Sequence, residues 1–189
     1  SAASDVYKRQ NVGYLLKQRG ETYKDKVAFH IIKKGKPYNV SYDSLWKKVI
    51  EVGKGLSLFI NHSKKPTIGL LTHNQFNGVL VDLACLSFGF KVVPIPLNST
   101  PEHVSYIINH SEISHLFICG KIGKKIWGEV KNSHDIIAID MSEINTTANY
   151  ALNWNSFISS SDTVEEFDVD HLLAKVDIND IQTVMYTSG

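Results

Sequence analysis

Between Thr67 and His110 the chain alternates short apolar runs with amphipathic segments that carry their own start and stop signals, and this alternation constrains the fold most. The run Thr67–Leu71 (TIGLL) is almost wholly apolar, the pattern of a strand covered on both faces. Asn74 then stands as N-cap for a helix bearing Phe76, Val79, Leu80, Leu83 and Leu86, which Gly89 closes. Residues 92–95 form the next strand, stopped by Pro94 and Pro96. Thr100-Pro101-Glu102 opens another helix with a hydroxyl cap, proline at the first helical position and an acid at the positive end of the dipole. Val104, Ile107 and Ile108 supply its buried side.

The same alternation extends in both directions. Upstream, Asn11 can cap a short helix through Arg19 with Gly20 as its stop, and residues 27–32 read as a strand. Lys33-Lys34-Gly35-Lys36-Pro37 is a polar turn into a second extended piece at residues 38–40. Ser41 caps a helix whose Leu45, Val49, Val52, Leu56 and Phe59 recur at three- and four-residue steps, to about Ile60. Downstream, strands at residues 115–119 and 135–139 flank a helix around residues 124–130. Residues 145–155 are polar and poorly periodic, Ser159-Ser160-Ser161-Asp162 reads as loop, and residues 183–186 (TVMY) as a final strand. The expected fold class is α/β: one mostly parallel sheet with helices on both faces.

Composition narrows the function. Twenty basic against nineteen acidic side chains leave a net charge of +1 in 189 residues, which argues against nucleic acid as partner. No apolar stretch is long enough for a transmembrane segment, although peripheral membrane contact stays open. Cys85 and Cys119 sit in apolar runs as buried hydrophobes and fit a reducing, cytoplasmic compartment. His103 and His110 lie a heptad apart without a supporting metal motif, so they read as surface residues, as does His73. Asp82 falls at the boundary of an apolar helix face. The lysines at 33, 34, 36, 64, 65, 124 and 125 read as solvated turn residues, and Trp46, Trp127 and Trp154 as core.

The chain closes on Tyr186-Thr187-Ser188-Gly189. A strand leaving a sheet into a Ser/Thr/Gly turn can hold phosphate, because glycine lets backbone N–H groups approach and hydroxyls add donors. Alone, the tripeptide is better read as an ordinary turn, and no G-x-x-x-x-G-K-[ST] accompanies it. Read with upstream segments, it resembles the adenylate-forming (AMP-dependent synthetase/ligase) family. That family's signature loop is Tyr-Thr-Ser-Gly-Thr-Thr-Gly-x-Pro-Lys-Gly, with an Asp-Leu-Ala-x-Ile-x lead-in that residues 180–185 (DIQTVM) are similar to. Ser41-Tyr42-Asp43-Ser44-Leu45 is similar to its Thr-Tyr-x-Glu-Leu helix start, with Ser44 where an acid is usual. Residues 86–95 (LSFGFKVVPI) resemble its Leu-x-x-Gly-x-x-x-Val-Pro segment, with Phe90 where a small residue is usual. Asn98-Ser99-Thr100-Pro101 follows as its proline turn, and residues 68–74 (IGLLTHN) look like its strand-and-cap.

The resemblance implies that residues 11–189 are an incomplete N-terminal AMP-binding domain, ending inside the phosphate-binding loop, with residues 1–10 a non-native leader. It makes Thr187, Ser188 and Gly189 the first half of the grip on the ATP phosphates. It places no catalytic residue and no metal ligand within the fragment, which is expected to be inactive alone. For the complete enzyme it implies ATP, Mg²⁺ and CoA, a small carboxylate substrate of fatty-acid type, and a cytoplasmic, membrane-associated setting at most. The alternatives are an adenylation domain loading amino or aryl acids onto a carrier protein, and a non-catalytic nucleotide-binding α/β module.

Overall fold

A computed structural model describes residues 11–143 and 149–176. Helix α1 (Val12–Thr22) precedes a hairpin of β1 (Val27–Lys33) and β2 (Lys36–Ser41), then α2 (Tyr42–Ser57). Strand β3 (Thr67–Leu71), α3 (Phe76–Phe88), β4 (Lys91–Pro94), α4 (Pro101–His110), β5 (His115–Ile118) and α5 (Lys121–Val130) follow. The described chain continues through β6 (Ile137–Asp140), β7 (Leu152–Asn153), α6 (Trp154–Ser160) and α7 (Val169–Lys175).

The expected parallel sheet is present. Among the described residues it has five strands in the order β4-β3-β5-β6-β7, every neighbouring pair parallel. Side chains alternate across it with the period of two that a strand imposes. Ile68, Leu70, Val92, Phe117 and Ile139 face one core with α1, α2, α3, α6 and α7. Leu71, Val93, Leu116, Ile118 and Ala138 face a second core with α4 and α5. Among the described residues β4 lies at the edge, where Pro94 is tolerated: Ile95 N–H still donates to the Leu70 carbonyl at 2.8 Å. The three tryptophans are buried as expected.

The hairpin stands apart from this sheet as a two-stranded antiparallel unit. Lys34 and Gly35 both take left-handed φ, +51° and +74°, the two-residue turn whose twist matches the flanking strands. Several of its apolar side chains face solvent, Ile32 at 81% exposure the most.

The caps explain where sequence reading erred. Ser41 and Thr100 cap their helices as expected, accepting from Ser44 N–H and His103 N–H. Gln75 rather than Asn74 caps α3, its side-chain oxygen accepting from Gly78 N–H at 3.0 Å, while Asn74 stays exposed. Gly20 does not stop α1, which runs to Thr22; it sits inside the helix beside Trp46. Helix α2 ends at Ser57, and three-residue turns carry the chain on to Ile60. The segment read as polar loop holds β7 and α6, the latter capped by Asn153, whose side chain accepts from Ser156 N–H at 2.8 Å. Asp168 likewise caps α7.

Candidate functional site

In sequence order the parallel strands occupy spatial positions 2-1-3-4-5, so the chain reverses direction of growth between β3 and β5. In open α/β sheets ligands lie outside the carboxyl ends of the strands at such a switch point. At that edge β3 gives way to Thr72 and the exposed His73 and Asn74, and β5 to Cys119 and Gly120. Helix α5 comes in unusually close. A Cβ on Gly123 would stand 2.7 Å from the Leu71 carbonyl oxygen, so only glycine lets the helix touch the end of the strand.

Beside the switch point, the end of β6 carries a charged node. Asp140 is completely buried. Its carboxylate accepts from Lys124 Nζ at 3.1 Å, from Ser142 N–H at 2.9 Å and from Ser142 Oγ at 2.7 Å. Lys124 Nζ also donates to Ser142 Oγ at 3.0 Å, so α5 is bound to the strand end it packs over. Asn77, near the start of α3, donates to the Met141 carbonyl at 3.0 Å and fixes the same turn from the other side. Burial, then the Asp140 charge, pushes the Tyr150 phenol up to about 12. The same two causes, in the same order, raise the Cys119 thiol, so it stays a weak nucleophile.

Lys124 therefore corrects the sequence reading: it is an ion-pair partner of a buried acid rather than a solvated turn residue. Asp140 was missed altogether. Its signal was an acid closing the otherwise apolar run Ile137-Ala138-Ile139, at the end of a strand where ligand-facing groups collect.

A cleft of about 700 Å³ opens next to this node. Ile31 and Val40 of the hairpin, Phe76 and Leu80 of α3, and Trp154 and Ile158 of α6 form apolar walls. Lys33, Lys34, Lys48, Glu51 and Glu143 stand at its polar margin, where Lys33 and Glu143 pair at 3.0 Å. The margin thus mixes both signs. Among the described residues no group of three or more His, Cys, Asp or Glu side chains is placed to hold a metal ion. His103 and His110 flank Tyr106 in a stack along α4, with ring centroids 6.1 and 5.2 Å from the tyrosine. Thr187, Ser188 and Gly189 lie outside the described residues.

The family model described as AMP-binding enzyme matches residues 16–189. The chain belongs to this AMP-binding enzyme family. Solved structures with the same fold include a fatty acyl CoA synthetase from Mycobacterium tuberculosis, 15% identical, with a TM-score of 0.67 over 96% of this chain and 33% of that one. Coronafacic acid ligase from Pectobacterium brasiliense is 19% identical, with a TM-score of 0.71 over 94% of this chain and 33% of its own. A long-chain-fatty-acid-CoA ligase from Archaeoglobus fulgidus is 16% identical, with a TM-score of 0.69 over 95% and 34%. At these identities the likeness shows the fold, and this chain spans about a third of the length of each. No curated protein sequence matches it significantly. Among the described residues no helix is long and apolar enough to cross a membrane.

Proposed function

We propose that this chain is the N-terminal part of an ATP-dependent acid–thiol ligase that activates a carboxylic acid of fatty-acid type and passes it to CoA. The observation that carries the reading is the family match over residues 16–189, which runs through Tyr186-Thr187-Ser188-Gly189. A carboxylate resists nucleophilic attack because its charge is delocalised. In the proposed reaction a carboxylate oxygen attacks the α-phosphorus of ATP, the α–β anhydride bond breaks, and pyrophosphate leaves. The acyl carbon of the acyl-adenylate then accepts the thiol sulfur, the thiol proton passes to solvent, and AMP departs.

Thr187, Ser188 and Gly189 are the residues proposed to grip the leaving phosphates. Two hydroxyls and an unencumbered glycine N–H form a donor set without a carboxylate, which suits a polyanion. Donors fixed before charge develops need not reorganise as pyrophosphate departs. Mg²⁺ bound to the whole enzyme would supply further neutralisation of that charge; no residue of this chain is proposed to hold it, or to hold CoA. The Asp140–Lys124–Ser142 node supports the reading as framework, keeping the carboxyl edge of the sheet in shape without reacting.

The test is ATP–pyrophosphate exchange by the complete protein against fatty, aryl and amino acids. Fatty acids should sustain exchange and a CoA-dependent release of AMP. Exchange only with amino or aryl acids shifts the reading to carrier-protein loading, and no exchange with any carboxylate leaves a nucleotide-binding module. Replacing both hydroxyls (Thr187→Ala with Ser188→Ala) should lower the exchange rate by about a hundredfold. The present chain alone should show none.

A further inference from the structure

We infer that the tip of the β1–β2 hairpin is a docking point for an anionic lipid surface. Strand geometry divides the hairpin into two faces. Phe29 and Ile31 pack toward the main core on one, while Ile32 and its cross-strand partner Pro37 share the other. Ile32 is 81% exposed, and the residues that follow it round the turn to Asn39 are exposed as well. The left-handed Lys34-Gly35 turn and the register pairs behind it hold this aliphatic side chain out on a formed ribbon rather than a loose loop. Charge collects at the same place. From Lys26 to Ser41 the chain has four lysines and no carboxylate. Lys33 and Lys36 are cross-strand partners, and Lys34 stands in the turn between them. Glu143 comes to the tip and pairs with Lys33 at 3.0 Å; Lys34 and Lys36 stay exposed at the apex.

A partner for this tip must take up cations and a lone aliphatic side chain together. Nucleic acid would accept the lysines but has no seat for Ile32; single-strand binders set aromatic rings between their cations instead. A folded protein needs about 800 Å² of surface on each side, more than one turn presents. An anionic bilayer meets both demands. Its headgroup charge draws in Lys34 and Lys36, and the acyl boundary just beneath removes Ile32 from water. Tyr38, half exposed on the other face of the same tip, suits the headgroup level, where an apolar ring with a polar end is at home. One aliphatic side chain and a few cations give weak, reversible contact, so the hairpin orients the protein on the surface without anchoring it. Such contact needs neither ATP nor a carboxylic acid, so it stands or falls apart from the ligase reading.

Co-sedimentation of the complete protein with vesicles tests the inference. Phosphatidylcholine vesicles carrying about a third phosphatidylserine should retain it, pure phosphatidylcholine should not, and retention should fall steeply in about 1 M salt. Lys34→Gln with Lys36→Gln should lower the partition coefficient about twentyfold, from about fivefold for each lysine. Ile32→Ser should lower it about tenfold. All three side chains are exposed, so the variants should melt as the wild type does, which separates lost docking from lost folding. Equal retention on neutral and anionic vesicles, or none on either, overturns the inference. So does retention that both variants leave unchanged, because the contact then lies elsewhere on the protein. Loss of binding to a single-stranded oligonucleotide in the lysine variant, with vesicle binding intact, would assign the tip to nucleic acid and overturn it as well.

Discussion

Replacing Lys124 by methionine isolates the charged node at the end of β6. The substitution keeps the length of the side chain and removes its ammonium, leaving the Asp140 carboxylate buried at 0% exposure without its cation. Breaking a fully buried pair costs about 3–5 kcal/mol. Two features lower that here: the Lys124 side chain keeps 28% exposure, and Ser142 still donates through its N–H and Oγ. The expected loss is therefore about 2–3 kcal/mol. Asp140→Asn alone should cost about 1–2 kcal/mol, because an amide replaces one acceptor oxygen with donors facing Ser142 and Lys124. The double variant should be less destabilised than the two losses added, by about 1 kcal/mol or more, since neither charge is then stranded. Urea unfolding followed by tryptophan fluorescence reads all three, with similar slopes required for the comparison. A loss below about 0.5 kcal/mol for Lys124→Met would falsify the argument, placing the pair among screened surface contacts.

Two further outcomes follow from burial. His115 is a core histidine stacked on Phe59 at a centroid distance of 4.1 Å, and burial pulls its imidazole down from 6.5 to about 4. Above pH 6.5 both folded and unfolded chains carry it neutral; between 6.5 and 4 only the unfolded chain takes the proton, so stability is lost as the pH drops through that window. The loss should reach about 2 kcal/mol after allowance for solvent screening, and the difference in melting between wild type and His115→Phe should vanish as a function of pH if the histidine titrates normally in the fold. Gly123→Ala should lower stability by about 1–3 kcal/mol in the same urea assay, because its Cβ meets the Leu71 backbone and the gain in helix propensity is smaller than the clash. A neutral or stabilising result there means that α5 can draw back from the sheet.

The sheet was legible because its information is local and repeated. Thr67–Leu71 is apolar on both faces, and Gly89 takes the left-handed φ of +77° that ends α3. Such signals need no knowledge of distant residues. What escaped reading depends on partners far apart in the chain. Lys124 looks solvated beside Lys125 until the fold brings it to Asp140, and β7 is too short to stand out from polar neighbours until β6 pairs with it. The Asn74 and Gln75 choice turned on one residue of phase, which side-chain reach decides and composition does not. Of the candidate site, Thr187, Ser188 and Gly189 are a proposal from the chain alone and lie outside the described residues, whereas the cleft could not be read because the hairpin, α3 and α6 assemble it together.

The two-stranded hairpin has a consequence for the behaviour of the chain in bulk. Its exposed apolar side chains stand on both faces, Ile32 on one and Tyr38, paired with Ile31, on the other, and a two-stranded ribbon leaves outer edges that a second extended chain can pair with. Lys34 and Lys36 crowd its tip, beside a Lys33 already paired with Glu143, and like charges at such a place repel a second copy approaching in register. That protection reaches only as far as the Debye length, which shrinks from about 10 Å at 0.1 M salt to about 3 Å at 1 M. Added salt should thus weaken that repulsion and favour association through the hairpin while the sheet core stays intact.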